Sequence, residues 1–131
     1  MGTKSIILII REIVIMNTIF ALVNEEIDNN VSEGRAGVYL LLCFDPKQNS
    51  WLVRYVGRSD TDLNARLKQH CSKKYDAFCF EYATTPLEAY YGECRYYHRY
   101  GGDRNLLDNE YHPDAPKGLA EKVVCPYCIE Q

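Results

Sequence analysis

Two long hydrophobic runs in the middle of the chain are joined by a short polar segment. The first run, Val38–Phe44, is apolar at almost every position, which predicts a strand that is covered on both faces. Residues 45–50 have the composition of a turn, and Trp51–Val56 follows as a second strand. The pattern therefore predicts an antiparallel hairpin, across which Tyr39 and Tyr55 can lie near one another.

The next segments alternate between helical and strand patterns. Leu63 and Leu67 are four residues apart, which predicts a helix over Leu63–Cys71, and Phe78–Ala83 alternates as a third strand. A second helix is predicted to begin at the N-cap Thr85 and to end near Tyr100, before two glycines. This order predicts a small α+β fold, in which a three-stranded, mainly antiparallel sheet is flanked by helices.

The two ends of the chain follow this pattern less well. Ile6–Ile10 and Ile13–Ile15 are strand-like, whereas Asn17–Val31 suits a helix. We interpret residues 1–33 as an N-terminal extension, 34–110 as the domain, and 111–131 as an irregular tail that belongs to the same domain. Since the first fifteen residues fit poorly, one hypothesis is that Met16 is the true start of translation.

Composition places the chain among ordinary globular proteins. It has 131 residues, of which 47% are hydrophobic and 25% charged, and this predicts one domain. Arg11 and Glu12 interrupt the N-terminal apolar run, so neither a signal peptide nor a membrane span is expected. We therefore expect the six cysteines to be reduced thiols in a cytoplasmic protein, which would be nucleoid-associated in a prokaryote.

Charge is unevenly distributed along the sequence. The net charge is −3, yet residues 34–74 hold eight basic and three acidic residues. A basic middle can contact phosphates while acidic ends maintain solubility, and the alternative interpretation is a solvated helix face.

Four short motifs occur in order on the predicted elements. They are Gly37-Val38-Tyr39 on the first strand, Tyr55-Val56-Gly57 at the end of the second, Arg66 with His70 on the first helix, and Glu93 on the second helix. In this order the motifs resemble the GIY-YIG nuclease family, and the resemblance covers residues 37–109.

The resemblance implies a role for each matching residue. Tyr39 and Tyr55 match the tyrosines of the two motifs, and Glu93 matches the metal-binding glutamate. The helical arginine and the histidine that follows it correspond to Arg66 and His70. The family also uses an asparagine, for which Asn105 and Asn109 are both candidates, and the spacing from Glu93 slightly favours Asn105.

These residue types suit phosphodiester hydrolysis. Glu93 can hold one Mg²⁺ or Mn²⁺ ion, because hard cations prefer oxygen ligands and leave positions for water and phosphate. Arg66 suits bidentate contact with a phosphate. A nearby cation would lower the pKa of Tyr39 and allow it to act as a base, while Tyr55 orients the water and His70 assists proton transfer.

The C-terminal Cys125-Pro126-Tyr127-Cys128 sequence presents two thiols at the spacing of half a zinc site. Cys94 and His98 are four residues apart on the second helix, so a site of Cys94, His98, Cys125 and Cys128 would attach the tail to that helix. His112, upstream of Cys125, is the other nearby histidine, and free thiols are the alternative to zinc.

The sequence therefore predicts a divalent-metal-dependent endonuclease that acts on DNA, with specificity from DNA structure, a protein partner or the tail. One alternative is a non-catalytic nucleic-acid or protein binding module on the same fold, stabilised by zinc. A second alternative is a redox or zinc-handling protein built on Cys125 and Cys128. A nuclease needs Glu93 beside a metal, whereas the alternatives do not.

Overall fold

A computed structural model describes Met16 and residues 18–128 of the chain. The strand-like runs predicted at Ile6–Ile10 and Ile13–Ile15, and the hypothesis about the first fifteen residues, lie outside the described residues.

The described chain forms an α+β fold. Its strands are β1 (Phe20–Ala21), β2 (Gly37–Asp45), β3 (Ser50–Ser59) and β4 (Ala77–Tyr82). Its helices are α1 (Asn24–Asn30), α2 (Leu63–Lys68) and α3 (Pro86–Arg99), and a 3-10 turn at Gly102–Arg104 follows α3. In this part of the chain, no helix combines the length and the hydrophobicity needed to cross a membrane.

The four strands form one sheet in the order β1-β4-β2-β3, and every neighbouring pair is antiparallel. β2 lies between β4 and β3, and β3 is the last strand of this order among the described residues. The pairing shifts where Leu41 lies opposite Tyr55 and Leu42 lies opposite Val53, which leaves Arg54 as a bulge residue. The Arg54 carbonyl accepts a hydrogen bond of 2.6 Å from the Asp108 amide, and this bond brings the segment after α3 to the sheet edge.

The predicted three-stranded sheet is corrected to four strands. The additional strand, β1, lies inside the predicted helix Asn17–Val31, whose described helical part is only Asn24–Asn30. Phe20 packs against Phe78 and Phe80 with ring centroids 5.4 and 6.1 Å away. Pairing and aromatic packing at the β4 edge therefore outweigh the local helical pattern.

The two predicted helices after the hairpin are confirmed, with one boundary changed. Thr85 caps α3 by accepting a hydrogen bond of 3.0 Å from the Glu88 amide, as its sequence indicated. Helix α2 ends at Lys68 rather than Cys71. The amides of residues 69–71 bond carbonyls three residues earlier, so the helix tightens into a 3-10-like turn that carries His70.

Hydrophobic side chains cover both faces of the sheet. On one face, Val38, Leu40 and Leu42 of β2 pack with α3, and on the other, Tyr39 and Leu41 pack with α1 and α2. The prediction of a strand covered on both faces is thus confirmed for residues 38–42, whereas Cys43 is only partly buried and Phe44 is 40% exposed. Five residues of segment 16–31 also supply buried side chains to these two clusters: Met16, Ile19, Leu22, Ile27 and Val31.

Candidate active site and metal cluster

Tyr39 and Tyr55 project from neighbouring strands into the same region. Their ring centroids are 6.4 Å apart, and the planes are inclined by 23°. Tyr39 lies opposite Gly57 on β3, and a Cβ at Gly57 would overlap the Tyr39 ring. The glycine that ends Tyr55-Val56-Gly57 is therefore required for the close approach of Tyr39 to β3.

His70 lies against both tyrosines. Its ring centroid is 5.4 Å from each of theirs, and its Nε2 is 2.8 Å from the Tyr39 hydroxyl oxygen. Burial lowers the pKa of His70 to about 4, and the charges of Lys73 and Arg66 act in the same direction. Because the imidazole is neutral at pH 7, Nε2 can accept the hydrogen bond that the Tyr39 hydroxyl donates.

Burial raises the pKa of Tyr39, which is 1% exposed, and burial also raises the pKa of Tyr55. The positive charge of Arg66 acts against this increase for both phenols. Arg66 is exposed on α2, where it donates a hydrogen bond of 3.2 Å to Gln69 Oε1. The site thus holds neutral phenols beside one accessible guanidinium.

Glu93 approaches the same region from α3. Its Oε1 forms an ion pair of 2.6 Å with Nη1 of Arg58, and the two side chains are only 12% and 13% exposed. Arg58 also pairs with Asp60 at 2.7 Å. Burial raises the pKa of Glu93, and the Arg58 guanidinium opposes that increase.

Arg58 lies at this site, although it was not among the candidate residues predicted from the sequence. It follows directly after Tyr55-Val56-Gly57, and this adjacency to a motif is the only signal of its role in the sequence. Its partner Glu93 is 35 residues away, so the ion pair depends on how α3 packs against β3.

Most of the candidate residues line a cleft of about 870 Å³ beside β3. Five of the seven predicted catalytic residues line this cleft, and a sixth lies next to it. Tyr39, Tyr55, Arg66, Glu93 and Asn109 line the cleft, and His70 lies behind the tyrosines.

The two candidate asparagines occupy different environments. Asn109 lines the cleft and brackets Val56, since its Oδ1 accepts from the Val56 amide at 3.1 Å and its Nδ2 donates to the Val56 carbonyl at 2.8 Å. Asn105, which the spacing favoured, is exposed at a left-handed position (φ 61°) at the end of the 3-10 turn and does not line the cleft. The structure therefore brings Asn109, and not Asn105, to the other candidate residues.

A second group of polar side chains lies at the end of α3. Four residues offer one nitrogen or sulfur atom each, with all four atoms within 4.8 Å of one another, so the group can hold a metal ion: His98, His112, Cys125 and Cys128. We call these four residues the Cys/His cluster. The structure places His112 in it rather than Cys94, which is buried beside Tyr90 and Cys125. All six cysteines are free.

No family model, no curated protein and no solved structure matches this chain in the comparisons with known proteins.

Proposed function

We propose that this protein is a divalent-metal-dependent endonuclease that hydrolyses DNA phosphodiester bonds in the manner of the GIY-YIG nucleases it resembles. One observation carries the proposal: Tyr39, Tyr55, Arg66 and Glu93, which come from four different elements, line a single cleft. Packing alone requires none of these polar groups to meet, whereas phosphoryl transfer requires positive charge, an activated water and a metal-binding oxygen at one place.

The Tyr39–His70 pair supplies the base. Neutral His70 accepts the hydrogen bond of the Tyr39 hydroxyl, so the phenol oxygen can take a proton from an attacking water while its own proton moves to Nε2. This relay moves the charge from the phenol to His70, and since burial lowers the pKa of His70 to about 4, the relay requires the negative charge of a bound phosphate to stabilise the imidazolium. Tyr55, stacked beside Tyr39, orients the water, and Arg66 binds the scissile phosphate.

The Glu93 carboxylate fits a hard divalent cation, Mg²⁺ or Mn²⁺, because it offers oxygen at the wall of a solvent-filled cleft. Such a cation stabilises the charge that develops on the phosphate. Because Arg58 is paired with Glu93, it would have to share or release the carboxylate if a cation were held there. A released Arg58 guanidinium would be available for a second phosphate oxygen.

The test is Mg²⁺-dependent cleavage of linear, branched and flapped DNAs by the wild type and by Glu93→Gln. Because metal-assisted charge stabilisation is worth several kcal/mol, we expect cleavage to fall at least about 100-fold in the variant. Glu25→Gln, an exposed change on α1 outside the cleft, is the matched control and should cleave like the wild type. Circular dichroism checks the fold, and equal cleavage by Glu93→Gln would refute the proposal.

The buried Arg58–Glu93 pair favours a second candidate, a non-catalytic binding module, because an ion-paired carboxylate needs no metal. In that case the wild type and Glu93→Gln would bind the same DNAs and neither would cleave them. A protein partner would then supply the biological specificity.

We also propose that the ion of the Cys/His cluster is Zn²⁺ in a structural role. Two thiols and two imidazoles are typical zinc ligands, whereas Mg²⁺ and Ca²⁺ prefer oxygen. Free thiols suit a reducing compartment, and on this ground we propose a cytoplasmic location.

A further inference from the structure

Three of the four donor atoms of the Cys/His cluster form a close triangle, and the fourth, Cys125 Sγ, lies within 4.8 Å of each of them. Nε2 of His98 and Nε2 of His112 are 3.3 Å apart, and Cys128 Sγ is 3.4 and 3.2 Å from them. Zinc at usual bond lengths would give about 3.3 Å between two nitrogens and about 3.5 Å between nitrogen and sulfur. These separations are therefore those of ligands around a common ion.

The contacts of the Nδ1 atoms of the two histidines also support a shared metal ion. His112 Nδ1 donates to the Pro113 carbonyl at 2.8 Å, and His98 Nδ1 is 3.4 Å from the Asp103 carboxylate. A proton held on Nδ1 leaves the Nε2 lone pair for a metal, and metal-binding histidines commonly have such an outer partner. Both imidazoles are thus oriented with Nε2 towards the cluster.

The cluster connects parts of the chain that have few other connections. His98 belongs to the last turn of α3, whereas the other three ligands lie in residues 110–128, which form no helix or strand in the described chain. Among the described residues, no backbone–backbone hydrogen bond joins that segment to the rest of the fold. A small apolar group of Tyr90, Cys94 and Cys125, with partly buried neighbours, is its main other attachment.

The first part of this segment, residues 110–114, forms one side of the cleft. His112 lines the cleft and belongs to the cluster, and Asn109, three residues earlier, is fixed to β3 through Val56. The short connection between them is held at one end by Val56 and at the other by the cluster. Tyr111, one of the two residues between them, is 78% exposed at the rim of the cleft.

We infer that the Cys/His cluster is a zinc clamp that anchors residues 109–128 and thereby holds residues 109–114 as a wall of the cleft, so that substrate cleavage requires zinc as well as the cation at Glu93. The part concerning cleavage rests on the proposed nuclease function. The clamp itself rests only on the geometry of the cluster and of the tail.

The experiment uses the full chain as wild type, Cys128→Ser and the control Cys43→Ser, whose thiol lies outside the cluster. Elemental analysis measures zinc, and hydrogen exchange compares residues 109–128 with the β2–β3 hairpin. We expect about one zinc per chain in the wild type and control, and at least about tenfold weaker zinc affinity in Cys128→Ser. Exchange in 109–128 should be faster in Cys128→Ser and in chelator-treated wild type, with the hairpin unchanged.

Mg²⁺-dependent DNA cleavage should be weaker in Cys128→Ser and in chelator-treated wild type than in untreated wild type and Cys43→Ser. Added zinc should restore cleavage in chelator-treated wild type but not in Cys128→Ser. Less than about half an equivalent of zinc after incubation with the ion would overturn the site. Stoichiometric zinc with unchanged exchange in 109–128 would overturn the clamp. The expected zinc and exchange results without cleavage in any sample would support the clamp and contradict the nuclease function.

Discussion

Tyr39 and His70 are the residues whose chemistry depends most on their environment. The sequence motifs indicated both as candidate site residues, because each stands in a recognisable position on a predicted element. Their hydrogen bond was not predictable, since it depends on the 3-10-like turn that ends α2 early and carries His70 towards β2. Arg58 was missed for a related reason: its partner Glu93 is brought close only by tertiary packing.

The lowered pKa of His70 predicts a pH dependence of stability. The pKa is 6.5 in the unfolded chain and about 4 in the folded protein, so between these values the unfolded chain binds more protons. The contribution of His70 to the free energy of unfolding is fully present above pH 6.5 and is lost as the pH falls towards 4. In His70→Gln, whose amide can still accept from Tyr39, the unfolding midpoint in urea should decrease less between pH 7.5 and 5 than in the wild type.

The comparison isolates His70, because His98 and His112 are present in both proteins and contribute equally to each curve. Circular dichroism in urea gives the midpoints at each pH. Parallel curves for the two proteins would mean that His70 is as easily protonated in the folded state as in the unfolded chain.

The secondary-structure elements differ in how far local sequence determined them. β2, β3, β4, α2 and α3 were predicted because each has its own hydrophobic period or cap. The two-residue strand β1 has no such signal, and it forms because Phe20 and Ala21 pair with Phe78 and Ala77 of β4. Three of the four residues of the Cys/His cluster were predicted, and the fourth, His112, depended on the path of the irregular tail.

The ion pair between β3 and α3 leads to a prediction about these two elements. Arg58→Met would leave the largely buried Glu93 carboxylate without its guanidinium partner. We expect this change to lower the free energy of unfolding by about 2–3 kcal/mol, which is less than the loss for a fully buried ion pair. Mg²⁺ should recover part of this loss, because it binds the folded carboxylate, and it should stabilise the wild type less.

Thermal unfolding with and without Mg²⁺ measures both effects. Arg54→Met is the matched control, since Arg54 pairs with Asp108 rather than Glu93, and it should show no added response to Mg²⁺. An Arg58→Met protein as stable as the wild type, with no response to Mg²⁺, would mean that Glu93 neither needs Arg58 nor binds the cation.

Across the whole molecule, folding neutralises much of the basic region that the sequence shows at residues 34–74. Four of its eight basic residues form ion pairs with carboxylates: Arg54, Arg58, Lys68 and Lys74. Within the part of the chain that the structure describes, Arg35, Lys47, Arg66 and Lys73 have no carboxylate within ion-pair distance. The positive field offered to a nucleic acid is therefore smaller than the composition of this region indicates.

This neutralisation predicts a weak salt dependence of DNA binding. Each neutralised phosphate contributes about 0.9 to the slope of log K against log salt. Contacts from Arg35, Arg66 and Lys73, with Arg58 added in a variant that lacks the Glu93 carboxylate, therefore give a slope no steeper than about −4. Fluorescence anisotropy with Glu93→Gln, which keeps the DNA intact, measures the slope. Arg66→Ala should reduce its magnitude by about 1, whereas Lys47→Ala, at the hairpin turn outside the cleft, should leave it unchanged. A slope steeper than about −6 would require phosphate contacts beyond these four residues, and the DNA would then follow a path other than the β3 cleft.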